Sequence, residues 1–182
     1  GDVGRGECMD VDPKNIGYEF WSTMANIYNA KGDVIYEGGA PFPFEGIWWD
    51  GELDREQLSS PDGDGANAMV QKFNSTAYGW GSRLIEFAKM TNYAVRSEYG
   101  VRPAFFGDMI GDWREEVILE KRGSVTIDGV SYSTCPGIAG FSTDYPTQHR
   151  IYCLMQNPAY KSQSTARGYY QSPFPDFYLG YD

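Results

Sequence analysis

Two stretches of the chain are built on one plan. Asp10-Val-Asp12-Pro-Lys-Asn-Ile-Gly17-Tyr-Glu19-Phe-Trp21 puts acidic residues in a turn, then a glycine, then an acidic residue entering a strand-forming run. Asp108-Met-Ile-Gly111-Asp112-Trp-Arg-Glu115-Glu116-Val-Ile-Leu repeats that order. A unit of this kind is a small sheet that cannot bury its apolar face alone. Self-similar loop-to-strand units therefore point to a solenoid or a β-propeller. At roughly 45–50 residues per blade, the 182 residues of this chain supply three or four blades. A closed propeller needs more, so either the repeat reading fails or the chain is part of a larger closed object.

The remaining sequence agrees with an all-β reading. Aromatic residues make up 16%, with 22 Gly and 10 Pro, a mixture suited to short strands and many turns and poor for helix bundles. Strands are expected at 16–23, 33–37, 52–58, 82–88, 115–121 and 124–132, bounded by Gly, Asn or Asp. Only residues 150–166 suit a helix, with Pro158 near one end because proline breaks a helix interior. No polar linker marks a boundary, so residues 1–182 read as part of one β-propeller domain.

Charge narrows the partners. Fifteen Lys and Arg stand against 25 Asp and Glu, a net charge of -10. Nucleic-acid binding needs a basic footprint, which the chain as a whole lacks, and a polybasic membrane anchor is excluded on the same ground. No apolar run approaches a membrane span. With 41% hydrophobic residues the chain is globular, which excludes intrinsic disorder. Cys8, Cys135 and Cys153 form no CxxC, so buried or free thiols are expected, with one disulfide and one leftover thiol as the alternative.

Several constellations could carry chemistry. Calcium takes six to eight oxygen ligands, and Asp10, Asp12 and Glu19, or Asp108, Asp112 and Glu116, could supply them together with turn carbonyls. Asp62-Gly-Asp64-Gly is a third candidate, and none of these matches the EF-hand pattern. The competing reading is that the aspartates cap turns through their own backbone. Trp48 and Trp49, in Gly46-Ile-Trp-Trp-Asp-Gly-Glu-Leu53, could stack on sugar faces or fill a core; the core reading is favoured. His149 is the single histidine and reads as structural, since no second histidine supports zinc and no Gly-x-Ser-x-Gly supports a triad. The run Arg167-Gly-Tyr169-Tyr170-Gln-Ser-Pro173-Phe-Pro175 reads as a sealing strand or as a place for proton abstraction and substrate gripping. P-loop and dinucleotide fingerprints are absent.

Taken together, five segments resemble the C-terminal part of the rhamnogalacturonan lyases of polysaccharide lyase family 11. They are Gly1-Asp-Val-Gly-Arg5-Gly with Asp10-Val-Asp-Pro13, Gly46–Leu53, Gly107-Asp-Met-Ile-Gly-Asp-Trp-Arg-Glu-Glu-Val117, Pro146-Thr-Gln-His-Arg-Ile-Tyr152 and Phe177-Tyr-Leu-Gly180. Their order and spacing agree across nearly the whole chain. The resemblance implies an eight-bladed propeller with calcium in its acidic loops, of which this chain covers the last third or so. It implies β-elimination at the bond between rhamnose and galacturonate in rhamnogalacturonan I, a pectic polysaccharide, and hence a secreted, periplasmic or cell-surface protein.

The resemblance also implies site residues. Arg5 matches the family's substrate-site arginine and Tyr169 its active-site tyrosine, with Trp48, Trp49 and Tyr170 as sugar contacts. The family's lysine, in an Asn-Gly-Thr-Lys run, has no counterpart in Glu98-Tyr-Gly100-Val-Arg102-Pro103, where Arg102 is the nearby cation. The family's asparagine before the tyrosine is Ala166, and residues 59–99 form a long insertion. Three functions follow: a calcium-dependent lyase, a lyase-derived module that only binds pectic sugar, or an open slice of propeller that pairs with another chain through its strand edges.

Overall fold

A computed structural model describes residues 6–23, 25–38, 40, 45–59, 68–74, 79–90, 94–96, 103–165 and 178–180. The fold is all-β and antiparallel, and the described residues form three successive four-stranded sheets. The first holds β1 (Gly6–Met9), β2 (Glu19–Ser22), β3 (Ile27–Tyr28) and β4 (Val34–Tyr36) in chain order. The second holds β5 (Gly46–Ile47), β6 (Glu56–Ser59), β7 (Met69–Asn74) and β8 (Gly79–Glu86), also in order. The third is β10 (Phe105–Gly107), β11 (Glu116–Ile127) and β12 (Val130–Phe141), with β9 (Ala94–Arg96) paired to β11. A helix of seven residues follows, α1 (Pro158–Ser164), and none of the described helices is long and apolar enough to cross a membrane.

Several expectations shift in detail. Residues 52–55 belong to a loop, and the strand begins only at Glu56. The strands expected at 115–121 and 124–132 are one long strand and part of its partner. β11 runs past Gly123 by means of a bulge between Lys121 and Gly123, and the chain reverses at Asp128-Gly129. Both turn residues have positive φ (49° and 77°), the conformation that a tight two-residue hairpin demands and that Asp-Gly supplies. The helix lies where expected. Pro158 sits in its first turn, where it lacks no needed N–H, and the Asn157 side chain accepts from Ala159 N and Tyr160 N.

Each sheet buries one face against the next. Met9, Val11, Trp21 and Ile27 of the first sheet and its entry loop pack with Phe73 of β7. Ile47, Trp49, Leu58 and Val70 of the second pack with Phe106, Val117 and Leu119 of the third. A third cluster, Trp48, Trp113, Leu154 and Tyr160, joins the loops of the second and third sheets to α1. Each such large apolar side chain contributes about 1.5–3 kcal/mol on full burial, so the contacts between sheets are as much a part of the core as the sheets themselves.

Candidate functional site

Three acidic loops recur at the same place in the three sheets. Each joins a pair of antiparallel strands, β1–β2, β5–β6 and β10–β11, and the later strand of each pair opens on a glutamate: Glu19 on β2, Glu56 on β6, Glu116 on β11. One carboxylate oxygen of each glutamate reaches back to take two consecutive backbone N–H groups of its own loop. Glu19 Oε2 accepts from Val11 and Asp12, both at 3.0 Å. Glu56 Oε2 accepts from Trp49 at 2.8 Å and Asp50 at 3.2 Å. Glu116 Oε2 accepts from Met109 at 2.8 Å and Ile110 at 3.0 Å. Buried N–H groups of an irregular loop need acceptors, and the glutamate supplies two at once. The second loop was not read as a member of the repeat in the sequence. Its signal is Gly51 five residues before Glu56, the spacing of Gly111 before Glu116.

The other oxygen of each glutamate, Oε1, is buried and accepts no hydrogen bond. Burial favours the neutral acid. It raises the pKa of Glu19 from 4.5 to about 8 against the two backbone hydrogen bonds, with Asp10 and Asp12 adding to the rise. Burial likewise puts Glu56 well above the usual carboxylate range and raises Glu116.

The aspartates mostly shape the turns. Asp12 accepts from Lys14 N and from the Asn15 amide. Asp50 accepts from Glu52 N, and Asp108 accepts from Gly111 N and, at 2.6 Å, from Leu154 N. Asp112 accepts from Arg114 N and pairs with its guanidinium. Gly51, at φ 98°, is required by its surroundings: an added Cβ would meet Pro146 O and Thr147 Cβ at 3.0 Å. That close approach lets the Thr147 hydroxyl donate to Gly51 O at 2.6 Å.

The loops are bonded to one another in series. Arg55 N donates to Asp10 O and Glu115 N to Trp48 O, each from the residue just before a loop glutamate. Between the second and third loops lies a buried ion pair, Arg55 Nη1 to Glu115 Oε2 at 3.3 Å, with Arg55 only 3% exposed and Glu115 0%. Glu115 also accepts from Trp48 N at 3.1 Å and from the Tyr160 hydroxyl at 2.5 Å. Tyr160 in turn accepts from Asp108 N. The Arg55 guanidinium donates to Gly46 O and lies 3.5 Å from the centre of the Trp48 ring.

The sugar-platform expectation for Trp48 and Trp49 is corrected. They are 1% and 2% exposed, and neither offers a face to a ligand. Trp48 donates its indole N–H to Leu53 O beneath Arg55, and Trp49 meets Phe87 edge-on at 5.7 Å. Large rings at the junction of two sheets are worth more as packing than as exposed surface. His149 lies edge-on to Trp113 and 3.8 Å from Glu52 Oε2, beside a cavity of about 400 Å³ that Glu52 and residues 146–149 line. Cys8, Cys135 and Cys153 form no disulfide with one another. Arg5, Arg102, Tyr169 and Tyr170 lie outside the described residues, as do Asp62 and Asp64.

Calcium fits loops 1 and 3 in donor chemistry, because each holds hard carboxylate oxygens and one buried oxygen of its glutamate accepts no hydrogen bond. It does not fit as a set of three converging carboxylates: no group of three or more His, Cys, Asp or Glu able to hold a metal occurs among the described residues. In loops 1 and 3, Glu19 and Glu116 would head any ligand set.

The chain belongs to rhamnogalacturonan lyase family 11: residues 1–182 match the model of that family's C-terminal domain. Among curated proteins it is 35% identical over 185 residues to the rhamnogalacturonan endolyase YesW of Bacillus subtilis (strain 168), covering 98% of this chain and 26% of that protein. It is 28% identical over 192 residues to the rhamnogalacturonan exolyase YesX of the same organism, covering 98% and 29%. The crystal structure of rhamnogalacturonan lyase YesW superposes with a TM-score of 0.70 at 31% identity, over 97% of this chain and 27% of that one. The rhamnogalacturonan lyase PL11 of Bacillus licheniformis gives 0.70 at 30%, again over 97% and 27%. The chain therefore spans less than a third of the length of these relatives.

Proposed function

We propose that this chain is the C-terminal portion of a secreted, periplasmic or cell-surface enzyme that cleaves the rhamnose–galacturonate backbone of rhamnogalacturonan I by β-elimination. The observation that carries the reading is the family match over residues 1–182. In the reaction a base removes the proton alpha to the galacturonate carboxylate. A carbon–carbon double bond then forms, and the C–O bond to rhamnose breaks, its electron pair leaving with the rhamnose oxygen. Tyr169 is assigned as the base, with Arg5 and Arg102 neutralising the carboxylate so that no bare dianion forms. Tyr170 is assigned to sugar contact.

Calcium is proposed for loops 1 and 3, where it would supply fixed positive charge and rigidity. The orphaned Oε1 atoms of Glu19 and Glu116 support this. The three successive sheets, bonded loop to loop, support a propeller of eight blades closed by the remainder of the protein.

The test is to incubate the full-length protein with rhamnogalacturonan I and calcium and to follow the ultraviolet absorbance of the unsaturated uronate. A rise is expected; none would refute the lyase. A second reading, a module that binds pectic sugar without cleaving it, is favoured by the missing lysine in residues 98–103 and by Ala166. Retained oligosaccharide affinity with no unsaturated product would select it.

A further inference from the structure

β11 and β12 run on past the point where their sheet stops. β9 pairs with β11 only as far as Arg122, and beyond it the two strands continue as a ribbon with no other described strand beside them. Residues 124–133 of this ribbon are all exposed. The register sorts them into two unlike faces, because directly opposed residues of an antiparallel pair share a face. Val125 opposite Tyr132 and Ile127 opposite Val130 make one face; Ser124 opposite Ser133 and Thr126 opposite Ser131 make the other. The first is apolar and aromatic, the second carries only hydroxyls, and Asp128 at the tip is the one charge in the stretch. The apolar face continues a buried one. Lys121 pairs with Gly137 and Gly123 with Thr134, which puts the extra residue of the bulge on β12 and leaves the alternation of β11 unbroken. Val125 and Ile127 therefore keep the parity of Val117 and Leu119, which pack against the second sheet.

We propose that the Val125, Ile127, Val130 and Tyr132 face of this ribbon docks on an apolar surface of the part of the same protein that precedes this domain. A two-stranded ribbon is marginal by itself in water, and an edge rich in Val, Ile and Tyr with almost no charge invites pairing with foreign chains. Covering the face removes both problems. Two observations choose the cover. The face extends one that already packs sheet on sheet within the chain. The chain also matches a C-terminal domain and spans only 26% and 29% of its two curated relatives, so most of such an enzyme precedes it. The acidic loop of the third sheet is not the occupant, because it enters β11 at Glu116, the opposite end from the tip. The inference rests on the reading of this chain as the C-terminal portion of a longer enzyme; a second copy of the chain is the rival cover.

The test is hydroxyl-radical footprinting of the full-length protein, with Tyr152 as the internal reference. Tyr132 and Tyr152 are equally open in this domain, 50% and 52% exposed. In the full-length protein Tyr132 should oxidise several-fold more slowly than Tyr152, in the same ratio at every protein concentration. Equal rates overturn the proposal. Protection that disappears on dilution also overturns it, because a second copy is then the cover. A photo-crosslinking residue, Ile127→p-benzoylphenylalanine, should join to the preceding portion of its own molecule; a crosslink between two molecules, or none, overturns the proposal. Unsaturated product is followed on the parent sample. Product without protection refutes the docking alone, and protection without product supports the docking while refuting the lyase.

Discussion

Replacing Arg55 by methionine keeps the length and apolar stem of the side chain and deletes its charge. In the native protein that charge is 3% exposed and stands against Glu115, which is 0% exposed. The variant breaks the buried pair from one side, a loss on the order of 3–5 kcal/mol. The guanidinium's position over the Trp48 ring and its bond to Gly46 O overlap with that figure, so about 4 kcal/mol in total is expected. A companion change, Glu115→Gln, is informative because the amide can still accept from Trp48 N and face the Tyr160 oxygen. The double variant should therefore be more stable than Arg55→Met alone, by about 1–3 kcal/mol, since the carboxylate that faced the guanidinium is replaced by a neutral amide. Urea unfolding at neutral pH, followed by tryptophan fluorescence, measures all three variants against the parent. A loss below about 1 kcal/mol for Arg55→Met, or a double variant at the simple sum of the singles, would refute the reasoning, because independent sites add and a buried pair does not.

Glu19 sets a pH dependence of definite sign. Its pKa is about 8 in the folded protein against an ordinary 4.5, so between these values the native state holds a proton that the unfolded state has released. Stability falls as pH rises through that window, by about 5 kcal/mol from Glu19, and Glu19→Gln should reduce the slope to the part that Asp54, Glu56 and Glu116, raised in the same sense, contribute, while keeping an acceptor for Val11 N and Asp12 N. Unfolding midpoints in chelator at pH 5 and pH 8.5 test it, and an unchanged slope in the variant would count against burial as the cause. Chelation of the parent protein should lower its melting temperature through loops 1 and 3; identical scanning-calorimetry traces with and without chelator would remove calcium from the account. Tyr169→Phe should lower the turnover number by about 100-fold or more as loss of a general base. His149→Ala, a change beside Trp113, should leave turnover within a few-fold, and equal losses for the two would displace Tyr169 from the reaction.

Local chemistry made a good part of this protein legible from its sequence. The acidic loops, the glycines that turn them and the strands they open were readable because each is a local device: Asx turns, a positive φ, an acidic residue at a strand start. So was the helix, from Pro158 and the absence of a rival segment. The hairpin tip was missed although Asp128-Gly129 is a strong local signal, because Gly123 looked like an end and proved to adjoin a bulge.

What the sequence could not decide was which groups meet across sheets. Trp48 and Trp49 look alike as neighbours just after β5, yet their side chains enter different clusters. Trp49 fills the core between two sheets, and Trp48 packs with Trp113, Leu154 and Tyr160. Arg55 and Glu115 are 60 positions apart, and only the docking of one loop on the next makes them a buried pair. The same holds for Lys72. Its side chain is one of many charges in the sequence until the β6–β7 register sets it among Asp50, Asp54 and Glu56. The sequence by itself determined the loops and their charge; the tertiary structure decided which cation answers that charge, because electrostatic partners are chosen by distance in space and burial.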